Sequence, residues 1–172
     1  AMQNVFRSIS SGVLPSIVEI DVIEKRTVTT PSMGWPFNFF LGEEGEGEGQ
    51  TREYEQSGLG SGVIVRKNGD TYYALTNNHV AGSANEISVR LSDDRTFDAT
   101  LVGKDERMDI ALVSFEAKNE NIPVAVLGDS DTVQTGDICF AMGTPLGYYA
   151  SVTQGIVSAT GRSGGGIGNI ND

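Results

Sequence analysis

Three side chains in this sequence could together perform nucleophilic chemistry: His79 in "LTNNHVAGS", Asp109 in "RMDIALVSF" and Ser163 in "GRSGG". Histidine works as a general base toward a hydroxyl when a carboxylate fixes its tautomer and stabilises the imidazolium that forms. His79 is the one histidine of the chain. A lone histidine in a β-rich protein is more often a hydrogen-bonded structural residue. Its setting argues for more: it follows the apolar run "YYALT" and precedes Val80-Ala81-Gly82, so it sits where a strand leaves its sheet, anchored yet accessible. Asp109 lies thirty positions downstream, directly before the apolar run Ile110 to Val113. Many aspartates merely open a strand. A carboxylate leading into a core strand is nevertheless costly to desolvate unless something polar meets it, and His79 is the expected partner.

Ser163 is a weaker candidate. Gly161-Arg162-Ser163-Gly164-Gly165 has the form Gly-x-Ser-Gly-Gly, which can wrap a nucleophilic serine, but such a motif carries weight only in the right surroundings. An oxyanion hole needs backbone N–H groups locked in place around the nucleophile. "GRSGGGIGNIND" has five glycines in twelve residues and no apolar anchor beyond Ile167 and Ile170, too loose a segment for that task. Ser163 is expected to be a decoy.

The elements that must position His79 and Asp109 are strands. "SIVEIDVIEK", "GSGVIVRK", "TYYALTN", "EISVRL", "TFDATLVGK", "DIALVSF", "DICFAMG" and "SVTQGIVSAT" are short β-rich runs parted by turn chemistry such as "NGD" and "SDD". They predict an all-β barrel or sandwich. Ahead of them Val5, Phe6, Ile9 and Val13 recur at helical spacing up to Pro15. An irregular insertion is expected from Val28 to Ser57. It holds the aromatics Trp35, Phe37, Phe39 and Phe40, suited to pack on another surface, and the solvated acidic repeat "GEEGEGEGQ". The polar, proline-bearing "ENIPVAVLGDSD" divides the strands into residues 1–122 and residues 123–172.

Composition excludes several classes. Lysine plus arginine number 12 against 23 acidic residues, a net charge of −11, the wrong sign for a nucleic-acid surface. No apolar run reaches the ~18–20 residues of a membrane span. The acidic repeat lacks the ligand order of a calcium loop, and no cofactor or metal is expected. Cys139, alone, cannot form an internal disulfide and reads as a small buried hydrophobe in a strand.

"GSGVIV", "LTNNHVAGSANEISVRLSD", "DERMDIALVSF", "LGDSDTVQTGDICFAMGTPLG" and "SVTQGIVSATGR" follow one another as in the HtrA/Deg serine proteases, which the chain resembles from about Val13 to Arg162. The resemblance implies a trypsin-like double β-barrel, the first barrel complete and the second partial, with the active site between them. It makes His79 the general base and Asp109 its orienting acid. It places the nucleophilic serine roughly twenty residues past Ser163, beyond Asp172, although a triad is defined by geometry rather than order. The chain would then be an inactive fragment of a protein-quality-control endopeptidase. Unfolded or misfolded polypeptides are the implied substrates, and the bacterial periplasm or cell envelope the implied compartment. A homotrimer built through the segment around Phe6 and the aromatics near Trp35 is also implied. The alternative is a non-catalytic, chaperone-like module that binds apolar peptide segments.

Overall fold

The computed structural model describes residues 2–29, 51–144 and 150–161. Helix α1 (Met2–Val13) forms on the expected apolar spacing and ends at a 3-10 turn, Leu14–Ser16, that contains Pro15. Phe6 of α1 meets Phe140 edge to face, with ring centroids 5.2 Å apart. Eight strands follow among the described residues: β1 (Ile17–Thr29), β2 (Thr51–Asn68), β3 (Thr71–Thr76), β4 (Glu86–Arg90), β5 (Thr96–Asp105), β6 (Ile110–Glu116), β7 (Ile138–Gly143) and β8 (Ser151–Ile156).

β1 to β6 close into an antiparallel barrel in the order β1-β2-β3-β6-β5-β4, with β4 returning to pair β1. Closure leaves this sheet without a free edge. Strand alternation turns Val18, Ile20 and Val22 inward from β1, Tyr72 and Ala74 from β3, Val89 from β4, and Ala111, Val113 and Phe115 from β6. The Phe115 ring lies between Tyr72 (centroids 5.6 Å) and Phe97 (5.4 Å). On the outer face of β1, Glu19 is buried to 3% exposure, and Arg90, its cross-strand neighbour, meets it in an ion pair.

The irregular segment expected over Val28 to Ser57 is narrower than the sequence suggested. β1 and β2 stay in register from Ile17↔Val63 out to Thr29↔Thr51. Charged residues hid this ladder, because Lys25 faces Glu55 across it and neither needs a buried face to pair. Trp35, Phe37, Phe39, Phe40 and the acidic repeat lie outside the described residues.

Beyond β6 the chain wraps the barrel. Tyr72 is fully buried, and its hydroxyl donates to the Glu120 carbonyl (2.8 Å) and accepts from Ile122 N–H (3.2 Å). Ala125 N–H then reaches the Ile64 carbonyl on β2 at 2.8 Å. β7 and β8 form a separate two-stranded antiparallel sheet. It meets the barrel at Ser61, whose Oγ accepts Thr144 N–H at 2.8 Å. Cys139, expected to be buried, is exposed: among the described residues no further strand covers its face of this two-stranded sheet.

One packing detail sets up the site. Gly58, Gly60 and Gly62 line one face of β2, and a Cβ at each would press on Val22, Val80 and Ile20 respectively. The approach is closest at Gly60, where an added Cβ would lie 2.6 Å from a Val80 methyl. Side chains thus rest directly on bare backbone.

Gly60→Ala is expected to overpack this contact and destabilise the protein by about 1–3 kcal/mol, read as a lower urea midpoint, with partial recovery when Val80→Ala is added. Tyr72→Phe should cost about 1–3 kcal/mol in the same assay, because it strands the buried Ile122 N–H without an acceptor. A midpoint unchanged in either variant would contradict the contact behind it.

Candidate active site

β3 and β6 are hydrogen-bonded neighbours, with Thr76 opposite Ala111. The residues just after β3 and just before β6 are therefore adjacent in space although thirty apart in sequence. His79 does not sit on a bare strand exit, as its sequence setting suggested. It lies on a single helical turn, α2 (Asn78–Ala81). Val80 and Ala81 N–H both bond the Asn77 carbonyl at 3.1 Å, and Gly82 N–H bonds the Asn78 carbonyl at 2.7 Å. Ala81 is fully buried and Val80 packs on Gly60, so the turn is pinned on one side. A Cβ at Gly82 would run into the Asn78 side chain, which explains the glycine there.

Asp109 sits in the turn between β5 and β6 with φ +53°, a left-handed conformation that aspartate tolerates better than most residues. Its carboxylate is the convergence point of the site. Oδ1 accepts His79 backbone N–H at 2.8 Å, and Oδ2 lies 2.6 Å from His79 Nδ1. Asn77 Nδ2 donates to the Asp109 carbonyl at 3.0 Å and to Oδ2 at 3.3 Å. The His79 side chain is 69% exposed and that of Asp109 only 22%, so the acid is enclosed while the ring faces outward.

The electrostatics decide the tautomer. The His79 backbone N–H, then the His79 ring, and further down the Asn77 amide hold the Asp109 carboxyl below its ordinary range, against the opposing pull of desolvation. An ionised carboxylate only accepts hydrogen bonds, so Nδ1 of the neutral ring carries the proton. Nε2 is left with a lone pair on the exposed side of the ring. His79 lines a cleft of about 180 Å³ together with Val22, Glu24, Leu59, Val80 and Ala84.

Both side chains singled out in the sequence thus meet at hydrogen-bond distance. Ser163 lies outside the described residues. Sequence reasoning missed Asn77, whose signal was available: it is the first of two asparagines ahead of the histidine, at a helix N-cap position. It also missed the Gly60–Val80 contact, which no local pattern announces. Among the described residues no group of three or more metal-binding side chains comes together.

Known proteins resemble this chain in sequence and fold. Residues 60–171 match the trypsin-like peptidase domain family. The chain is 41% identical over 173 residues to the periplasmic serine endoprotease DegP of Escherichia coli K12, covering 88% of this chain and 35% of that protein. It is also 41% identical over 172 residues to a probable periplasmic serine protease, do/HhoA-like, of Haemophilus influenzae, covering 95% and 36%. A solved structure of the HtrA-type protease AlgW with a tripeptide superposes with a TM-score of 0.71 at 33% identity, over 97% of this chain and 44% of that one. The chain spans about a third of the length of these curated relatives. A closed six-stranded barrel, a second sheet beside it and a family match over most of the sequence lead to one conclusion: the chain belongs to the trypsin-like peptidase family, among its HtrA/Deg proteases.

Proposed function

We propose that the parent protein is a serine endopeptidase in which His79 is the general base and Asp109 its orienting acid. The observation that carries this reading is the 2.6 Å contact between His79 Nδ1 and Asp109 Oδ2; beside an ionised carboxylate it puts the ring proton on Nδ1 and leaves Nε2 free to accept one. Nε2 takes the proton of a serine hydroxyl as its oxygen attacks the scissile carbonyl, and the imidazolium then returns that proton to the departing amine. Asp109 stays ionised throughout; it holds the ring and stabilises its transient charge. Ser163 is not the nucleophile in this reading, which rests on the five glycines of "GRSGGGIGNIND" and on the family spacing that puts the serine further on.

The substrates are unfolded or misfolded polypeptides and the compartment is the periplasm. Supporting this are the relatives named periplasmic serine endoproteases and a structural neighbour solved with a tripeptide. The parent assembles as a homotrimer, a reading that rests on the family resemblance.

Casein cleavage by the full-length protein is expected to be abolished by His79→Ala and lowered about 10⁴-fold in kcat by Asp109→Asn, which leaves the wrong tautomer. Cleavage that survives His79→Ala undiminished would overturn the assignment. Acid titration gives an independent check. Folding depresses the Asp109 carboxyl below 3.8. Its ionised contacts therefore add stability above about pH 4, and that contribution disappears as pH falls through the depressed folded value. The stability gap between wild type and Asp109→Asn in urea should accordingly narrow below about pH 4. A gap that stays constant or widens in acid contradicts the hydrogen-bonded carboxylate.

A further inference from the structure

Asn77 stands at the N-cap position of α2, where an asparagine side chain ordinarily turns back to bond the second or third backbone N–H of its own helix. Here it makes no such bond. The N–H it would cap, that of His79, is capped instead by Asp109 Oδ1 at 2.8 Å, a carboxylate thirty residues away. The Asn77 amide is turned the other way and donates to Asp109 twice, to the main-chain carbonyl at 3.0 Å and to Oδ2 at 3.3 Å. The exchange is reciprocal: Asp109 caps the turn that carries the histidine, and the residue whose capping role it has taken ties Asp109 down.

We infer that Asn77 is a positioning residue that acts on His79 through Asp109, an inference that rests on the proposed base role of the imidazole. Two features make the tie consequential. Asp109 has φ +53°, so its turn is not one the backbone adopts by default, and the bond to its carbonyl holds the main chain there. The second bond falls on the oxygen that faces His79 Nδ1, so that together with the His79 N–H on Oδ1 it fixes the rotation of the carboxylate about its own axis. Without Asn77 the carboxylate swings, and the ring drifts toward the Nε2–H tautomer that free imidazole prefers in water. That tautomer carries its lone pair on Nδ1, facing Asp109, and has none on Nε2 to offer a hydroxyl.

The test uses the fact that His79 is the chain's one histidine, so its ring nitrogens give unoverlapped signals in a ¹⁵N-histidine-labelled NMR sample. At a pH where the ring is neutral, wild type is expected to show one tautomer, protonated at Nδ1. Asn77→Ala and Asn77→Asp should both show a mixture with Nε2–H. The aspartate variant separates the two possible roles of this position. It keeps a side chain that caps helices as well as asparagine does but donates no hydrogen bond. Asn77 is exposed and lies off the core, so neither change threatens the barrel. In the full-length protein Asn77→Asp should lower kcat between about tenfold and a hundredfold with KM unchanged. Ring spectra identical to wild type in both variants, or an unchanged kcat, would overturn the inference. A wild-type parent that cleaves nothing would sink the peptidase reading instead, while the tautomer comparison still judges Asn77.

Discussion

One carboxylate organises this end of the barrel. Asp109 accepts the N–H of the turn that carries the histidine, the Nδ1–H of the imidazole and the amide of the residue that opens the turn. Charge-assisted bonds of this kind are about twice as strong as neutral ones, and they favour the ionised form of the acid. Most of this acid's donors come from the segment it orients. Position and protonation state of the imidazole are therefore fixed by the same contacts.

The sheet makes this meeting possible. In the barrel order β1-β2-β3-β6-β5-β4, β3 and β6 lie side by side although β4 and β5 intervene in sequence. The two strands contribute the fully buried Ala74, Ala111 and Val113 to the apolar core, and their ends emerge together at its rim. A rigid scaffold that delivers two chain segments to one rim suits chemistry that tolerates little misplacement. The buried Tyr72, at the other end of β3, fastens the chain that follows β6 to the barrel.

Much of this was legible in the sequence. Alternating β-branched residues announced the strands, and the apolar runs beside His79 and Asp109 announced that both lie close to strand ends, although His79 rides on a helical turn beyond β3. The position of the charge before "IALVSF" mattered most, since a carboxylate at the door of a core strand needs a partner. Other features were hidden for physical reasons. The helical turn at Asn78–Ala81 is too short to show a period and exists because Ala81 and Val80 find tertiary contacts. The outer part of the β1–β2 ladder carries charges rather than an apolar face, so nothing in its composition distinguishes strand from loop. Cys139 looked buried because "ICFAMG" is an apolar strand, yet burial depends on what packs over it, which local sequence does not encode.

The glycines at 58, 60 and 62 have a final bearing on how β2 is aligned. Sliding the strand by one residue would bring Leu59, Ser61 and either Ser57 or Val63 under Val22, Val80 and Ile20, where only bare main chain fits, and would turn the glycines to the outside. The strand is keyed like a lock with three missing pins, and a single setting is admissible. Matter left out thus complements attraction: the missing side chain at Gly60 lets Val80 and its turn settle against β2, at the height from which Asp109 can grip the imidazole.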